Sequence, residues 1–290
     1  MDIKIENNEK ENEIVKIISS DRSVSKSKML ERLRKSKINM EENTTKDHKI
    51  IFVTPTDDIT EDWSIRDVAI KRCPYGWEKS FNKLGNTFDF IQNIIEKEGG
   101  RVVPNRKDLF NAFHWCPLSK LKVVIVGQDP YYTIMNDGRP DANGASFSTR
   151  RDCRLRDSVQ NIFLEVKKDY PEFKIPDHGD LRGWAEQGVL LLNMSLTTVA
   201  GIDKAHSHIW TGVISSVFEE IKESAPHAVV MLWGRDAQNK ILKFIGKLKY
   251  LLAAHPSPKS VKGFLGCSHF KLANEHLISQ GIKPIDWTLL

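Results

Sequence analysis

Four short apolar runs punctuate the chain between residues 122 and 256: KVVIVG (122–127), VLLLNM (189–194), HAVVMLWG (227–234) and YLLAAHP (250–256). Each is nearly continuous rather than alternating, which predicts strands buried on both faces. Between them lie DSVQNIFLEVKKDY (157–170), TGVISSVFEEIKES (211–224) and RDAQNKILKFIG (235–246), whose apolar positions recur at helical spacing. Strand–helix alternation of this kind predicts an α/β fold, a three-layer α/β/α domain around a central four-stranded parallel sheet. Upstream, WEKSFNKLGNTFDFIQNIIEKEGG (77–100) reads as one or two helices closed by the pair Gly99–Gly100.

The first 60 residues have a different texture. They are polar, rich in Lys, Asn, Glu and Ser, with one amphipathic stretch, KSKMLERLRKSKI (26–38). The expected organisation is a polar N-terminal extension over 1–60, mobile or partly helical, followed by one domain over 61–290.

In open parallel sheets, ligands bind beyond the carboxyl ends of the strands. The residues just past the four runs therefore mark a candidate site. They are Gln128, Asp129, Pro130, Tyr131 and Tyr132 after the first, Asn193 at the end of the second, Trp233 to Arg235 at the third, and His255 to Ser257 after the fourth. An Asp, an Asn and a His converging on one rim fit three chemistries. A metal hydrolase would want more His or carboxylate ligands than this rim offers, and the HSH triplet at 206–208 is a weak addition. Nucleophilic hydrolysis would want an activated Ser or Cys, and no GxSxG exists. In a dissociative cleavage, a carboxylate would stabilise a sugar cation while amide and imidazole hold the leaving group.

Composition narrows the field a little. The 290 residues carry a net charge of +5; residues 1–60 hold 12 basic and 12 acidic side chains, so the excess lies in the remainder. A mildly basic domain suits a polyanionic partner without requiring one. Cys73, Cys116, Cys153 and Cys267 are scattered without a CxxC pair, the pattern of reduced buried thiols in an intracellular protein. No run of 18 or more apolar residues occurs, so no membrane association is expected. No GxGxxG or GxxxxGK[ST] loop supports a nucleotide fold.

GQDPYY (127–132), GASFS (144–148), HGDLRGWAEQGVLLLN (178–193) and HPSPKSVKGFLGCSHF (255–270) resemble the motifs of family-1 uracil-DNA glycosylases. The likeness runs from Trp77 to Trp287. It implies a hydrolase that flips uracil out of DNA and cleaves its N-glycosidic bond, needing neither metal nor cofactor. Carried over residue by residue, it makes Asp129 the catalytic carboxylate and His255, as a neutral imidazole, the partner of uracil O2. Asn193 would read the uracil edge, Gln128 would offer backbone contacts, Phe147 would stack on the base, and Tyr131 would exclude the thymine methyl. Ser158, Ser257, Lys259 and Tyr132 would meet DNA. The partner would be uracil-containing DNA, single- or double-stranded, bound by a monomer, with residues 1–60 a candidate contact for a protein partner. The expected location is intracellular, in the nucleus or at a viral replication site in a host cell.

The sequence departs from the family pattern in three places. Tyr132 stands where His is usual, and a phenol carries no switchable charge near neutral pH. The loop TIMNDGRPDANGAS (133–146) is longer than usual, and the segment after it, TRRDCRLRDS (149–158), is basic where the family is proline-rich. Arg139, Arg150, Arg151, Arg154 and Arg156 are candidate phosphate contacts there, against a plain solvated face. Lys259 occupies the place of an apolar wedge, and Phe264 lies too close to the motif core to replace it.

Overall fold

The computed structural model describes residues 58–290. The expected extension over 1–60 therefore lies almost wholly outside the described residues. Ile59 already packs into the hydrophobic core.

The described chain opens with α1 (Ile65–Lys71), α2 (Glu78–Asn82) and α3 (Gly85–Glu98). Ser64 caps α1, its hydroxyl accepting the Asp67 N–H at 2.9 Å. Gly99 ends α3 at φ 69° and ψ −169°, a conformation open essentially to glycine alone. Next come β1 (Val102–Val103), α4 (Asn111–Trp115), β2 (Val123–Gly127), α5 (Asp157–Asp169), α6 (Arg182–Glu186), β3 (Val189–Asn193) and β4 (Thr198–Val199). The chain closes with α7 (Thr211–Ser224), β5 (Val229–Trp233), α8 (Arg235–Ile245), β6 (Lys249–Ala253) and α9 (His269–Ser279).

β2, β3, β5 and β6 form the expected parallel sheet, in the order β3-β2-β5-β6. Every residue of β2, β3 and β5 is buried, so those continuous apolar runs read correctly. β6 does not follow. It is an edge strand, with Tyr250 44% and Leu252 46% exposed. Its run is apolar yet covered on one side only. A small antiparallel pair, β1 with β4, had no periodic signal because each strand has two residues. The thiols also differ from expectation: Cys116 and Cys153 are buried, whereas Cys73 and Cys267 are half-buried.

The strand order places the site. The chain moves from β2 to β3 on one side, then crosses back to β5 and on to β6 on the other. The connections diverge between β2 and β5, and such a switch point leaves a crevice at the carboxyl ends. Aromatic packing stiffens the floor beneath it. Trp233 at the tip of β5 meets Phe264 edge-on at 5.1 Å, and its indole N–H donates to His269 Nδ1 at 3.0 Å.

Candidate active site

The pairing of β2 with β3 continues past both strand ends. Gly127 pairs with Asn193, the Met194 N–H donates to the Gly127 carbonyl at 3.0 Å, and the Ser195 N–H to the Gln128 carbonyl at 3.0 Å. Asp129 is the next residue, and Pro130 restricts the backbone after it. The Asp129 carboxylate is half-buried and accepts the Lys204 backbone N–H at Oδ2, 3.0 Å away. Burial raises its pKa above the usual carboxylate range, with the Lys204 N–H working in the opposite direction.

Asn193 is 4% exposed, and its Oδ1 is buried without a hydrogen-bond partner among the described residues. Buried polar atoms are normally satisfied, so this one asks for a donor from a ligand. Gly127 makes room for the amide. A Cβ there would lie 2.3 Å from Asn193 Oδ1 and 2.6 Å from Ser146 Cβ.

The GASFS loop is stitched over the strand tips. Ser146 donates through its N–H to the Leu191 carbonyl at 2.9 Å and through its hydroxyl to the Ile125 carbonyl at 3.0 Å. Gly144, at φ 86°, presses against the Asp108 carbonyl, where any Cβ would overlap it. This anchoring holds Phe147 at φ 59°, a left-handed conformation uncommon for a bulky residue. The Phe147 ring lies 5.4 Å from Trp233 and 5.8 Å from His255, between centroids. The Tyr131 hydroxyl donates to the Phe147 carbonyl at 3.5 Å, while the Arg156 guanidinium covers the Tyr131 ring at 5.1 Å.

His255 accepts the Ser257 N–H at Nδ1, 3.1 Å away, which leaves the ring proton on Nε2. Burial lowers its pKa, so the imidazole is neutral. The Ser260 hydroxyl donates to the His255 carbonyl at 2.7 Å and lies 3.1 Å from the Ser257 hydroxyl. Beside His255 a cavity of about 140 Å3 opens at the switch point, lined by Gln128, Met194, Trp233, Arg235 and Asp236 among others.

Of the residues expected to meet DNA, Ser158 is half-buried in the first turn of α5. One turn on, Asn161 donates to the Pro256 carbonyl at 2.7 Å and ties this turn to the Ser257 loop. Tyr132 and Lys259 are exposed. Phe264 is fully buried against Trp233 and has no path to a base stack. The cations of the basic segment have acidic neighbours within the protein. Arg150 pairs with Asp108, Arg156 with Asp141, and Arg151 with Asp180 at 3.8 Å; exposed Arg154 stands 3.9 Å from Asp157. Arg139 is held by Asp137 and Asp152, so the long loop is braced rather than slack. The HSH triplet is likewise accounted for. His206 is buried, with Nδ1 2.9 Å from the Thr197 hydroxyl and Nε2 3.3 Å from Glu98.

Lys204, Asp236 and Trp233 had no role in the reading of the motifs. Trp233 was legible as a strand-end residue. The Lys204 contact runs through a backbone N–H, 75 residues from Asp129, and carries no side-chain signature.

Comparison with known proteins agrees with this geometry. Residues 113–278 match the family model described as Uracil DNA glycosylase superfamily. The uracil-DNA glycosylase of Dichelobacter nodosus is 46% identical over 193 residues, 66% of this chain and 82% of that protein. That of Vibrio vulnificus is 42% identical over 221 residues, 74% of this chain and 93% of that protein. Among solved structures, mimivirus uracil-DNA glycosylase superposes with a TM-score of 0.71 at 28% identity, covering 82% of this chain and 97% of that one. Fold, family match and relatives agree: the chain belongs to the uracil DNA glycosylase superfamily, within family 1.

Proposed function

We propose the following division of labour for the reaction of this family, hydrolysis of the N-glycosidic bond of uracil in DNA. The chain is a DNA-repair hydrolase that releases free uracil and leaves an abasic site. The uridine is extruded from the helix, because C1′ is out of reach in stacked DNA. Asn193 accepts uracil N3–H at the unpartnered Oδ1 and donates to O4 through its NH2. Cytosine presents a lone pair at N3 and an amine at C4, and would leave this amide mispaired. Phe147 stacks on the ring, and Tyr131 stands against C5.

As the C1′–N1 bond breaks, its electron pair moves onto the pyrimidine and charge gathers at O2. His255 donates Nε2–H to that oxygen without transferring the proton, and the Gln128 backbone adds a contact. The sugar becomes oxocarbenium-like. The Asp129 carboxylate lies below it, stabilises the cation and orients the water that adds to C1′. Pro130, the extended β2–β3 pairing and the Lys204 N–H fix this carboxylate before substrate arrives, which spares reorganisation during the reaction. Ser257 and Ser158 hold phosphates on either side of the extruded nucleotide, with Tyr132 and Lys259 nearby, on single- or double-stranded DNA.

The observation that carries this reading is the buried, unpartnered Oδ1 of Asn193 on the same rim as Asp129 and His255. A catalytically silent DNA-binding scaffold has no use for an unsatisfied amide there. The test is incubation with a uracil-containing oligonucleotide in EDTA, followed by alkaline cleavage of abasic sites. Strand scission by the wild type, lost in Asp129→Asn, is expected. Binding without uracil release would overturn the assignment.

A further inference from the structure

Lys204 enters the site through its backbone and leaves it through its side chain. Its N–H donates to Asp129 Oδ2 at 3.0 Å, and its φ of 60° is the left-handed conformation that a lysine seldom adopts. Its Nζ lies 3.3 Å from Asp236 Oδ2. Asp236 stands in the first turn of α8 and lines the same cavity as His255 and Gln128, beside the exposed Arg235. One lysine thus links Asp129, through its backbone N–H, to Asp236 in the wall of that cavity, through its side chain. Both side chains of the pair are about half exposed, 46% and 56%, so the pair is weak and open to competition.

A deoxyribose whose C1′ stands over Asp129 carries a phosphate a few bonds away on each side. A polyanion entering here meets Asp236, which repels it, and Lys204, which attracts it. We propose that Asp236 is an internal stand-in for a DNA phosphate: it holds the Lys204 ammonium in the free protein, and a phosphate flanking the extruded nucleotide takes that ammonium over on binding. The proposal rests on the placement of Asp129 under the sugar given above. No covalent step is involved. Because the Lys204 N–H stays on Asp129, the residue that takes up the phosphate is also the one that steadies the carboxylate. Lys204 is in this sense a positioning residue.

The test is binding to a duplex that carries an uncleavable tetrahydrofuran abasic site, followed by fluorescence anisotropy between about 50 and 200 mM salt. Lys204→Met keeps the backbone N–H and loses the charge. It is expected to flatten the slope of log K against log salt by about 0.9, the loss of one phosphate contact. Lys204→Gly suits the left-handed backbone and should flatten it equally, which covers the case in which the methionine variant folds poorly. Asp236→Asn should tighten binding about two- to fivefold by removing the competitor, and that gain should shrink when combined with Lys204→Met to the part that comes from direct repulsion by Asp236. An unchanged slope in the Lys204 variants overturns the proposal, as does an Asp236→Asn gain that is undiminished in the double variant. A wild type that binds but releases no uracil would instead sink the functional reading on which it rests.

Discussion

The Ser257 N–H donates to Nδ1 of His255 at 3.1 Å, and that bond decides which imidazole nitrogen faces the site. Protonating Nδ1 would set two donors against each other. Burial acts in the same direction by disfavouring the charged ring. His255 is therefore expected to titrate below 6.5, with the proton of the neutral ring on Nε2. A 15N-resolved NMR titration reads both the tautomer and the pKa. A ring that titrates at or above 6.5, or that carries its proton on Nδ1, contradicts the assignment. Replacement by Leu removes a donor aimed at developing charge and should lower kcat about a hundred- to a thousandfold.

Asp129 is costly to the fold for the reason that would suit it to its proposed role. Its pKa is raised by burial, so the folded state holds the proton more tightly than the unfolded state does. The associated stability is present below the unfolded carboxylate range and is lost as pH rises through the folded pKa. At neutral pH the ionised group is a burden. Asp129→Asn keeps an acceptor for the Lys204 N–H and removes the charge. It should cut activity by at least about a hundredfold while raising Tm at pH 7, and the gain in Tm should shrink as pH falls into the carboxylate range. Calorimetry across pH checks this. A lower Tm at neutral pH would show that the carboxylate is better solvated than its surroundings indicate.

Two other histidines set the acid limit of the domain. His114 and His269 are each 3% exposed, and burial lowers both to about 4. His269 is also fixed in the neutral form, since Nδ1 accepts the Trp233 indole N–H. In the unfolded chain both titrate near 6.5, so between pH 6.5 and about 4 the unfolded state binds more protons and stability falls as pH falls. Thermal melts should show Tm declining through that window, and the decline should lessen in His269→Gln. A Tm flat from pH 6.5 to 4 would refute it.

These groups also show what could be read from residues alone. Strands β2, β3 and β5 were legible because a strand buried on both faces is apolar throughout, and the position of Asp129 and Asn193 at their ends followed from topology. β6 misled because Tyr250 and Leu252 are apolar yet exposed, and a continuous run does not reveal which of the two edge strands, β3 or β6, is left uncovered. The ion pairs of the basic loop were hidden for another reason. Arg150 and Arg156 are matched by Asp108 and Asp141, acids from other parts of the chain that no local pattern connects to them. The Lys204 N–H on Asp129 is invisible in principle, since every residue but proline owns such a donor.

Gly127 and Gly144 test how tightly the groups proposed to read the base are built. At Gly127 a methyl would lie 2.6 Å from Ser146 Cβ, which its own hydrogen bonds hold in place, so the Asn193 amide has to move. Gly127→Ala is expected to lower kcat/KM for uracil substrates with a smaller effect on binding of abasic DNA. At Gly144 the clash is with the Asp108 backbone, and φ is 86°. Gly144→Ala should therefore displace the Phe147 loop and lower stability as well. Equal losses of uracil excision and abasic-site binding in Gly127→Ala would place the defect elsewhere than in base reading.

Lys259 supplies the last expectation. It stands exposed in the turn after the HPSP segment, two residues beyond Ser257. An extruded base leaves a gap in duplex DNA, and an apolar side chain fills such a gap by stacking. A lysine stem covers some apolar surface, but its ammonium seeks water or phosphate. Phe264 is buried against Trp233 and cannot take over. The protein should therefore favour single-stranded over duplex uracil DNA more strongly than a protein with an apolar residue at this position. Single-stranded DNA leaves no gap to fill, so Lys259→Leu should raise the rate on duplex while leaving the single-stranded rate nearly constant. The salt dependence of binding should weaken at the same time, because one cation is lost. A duplex-to-single-strand rate ratio that does not change on substitution would mean that nothing at position 259 enters the helix.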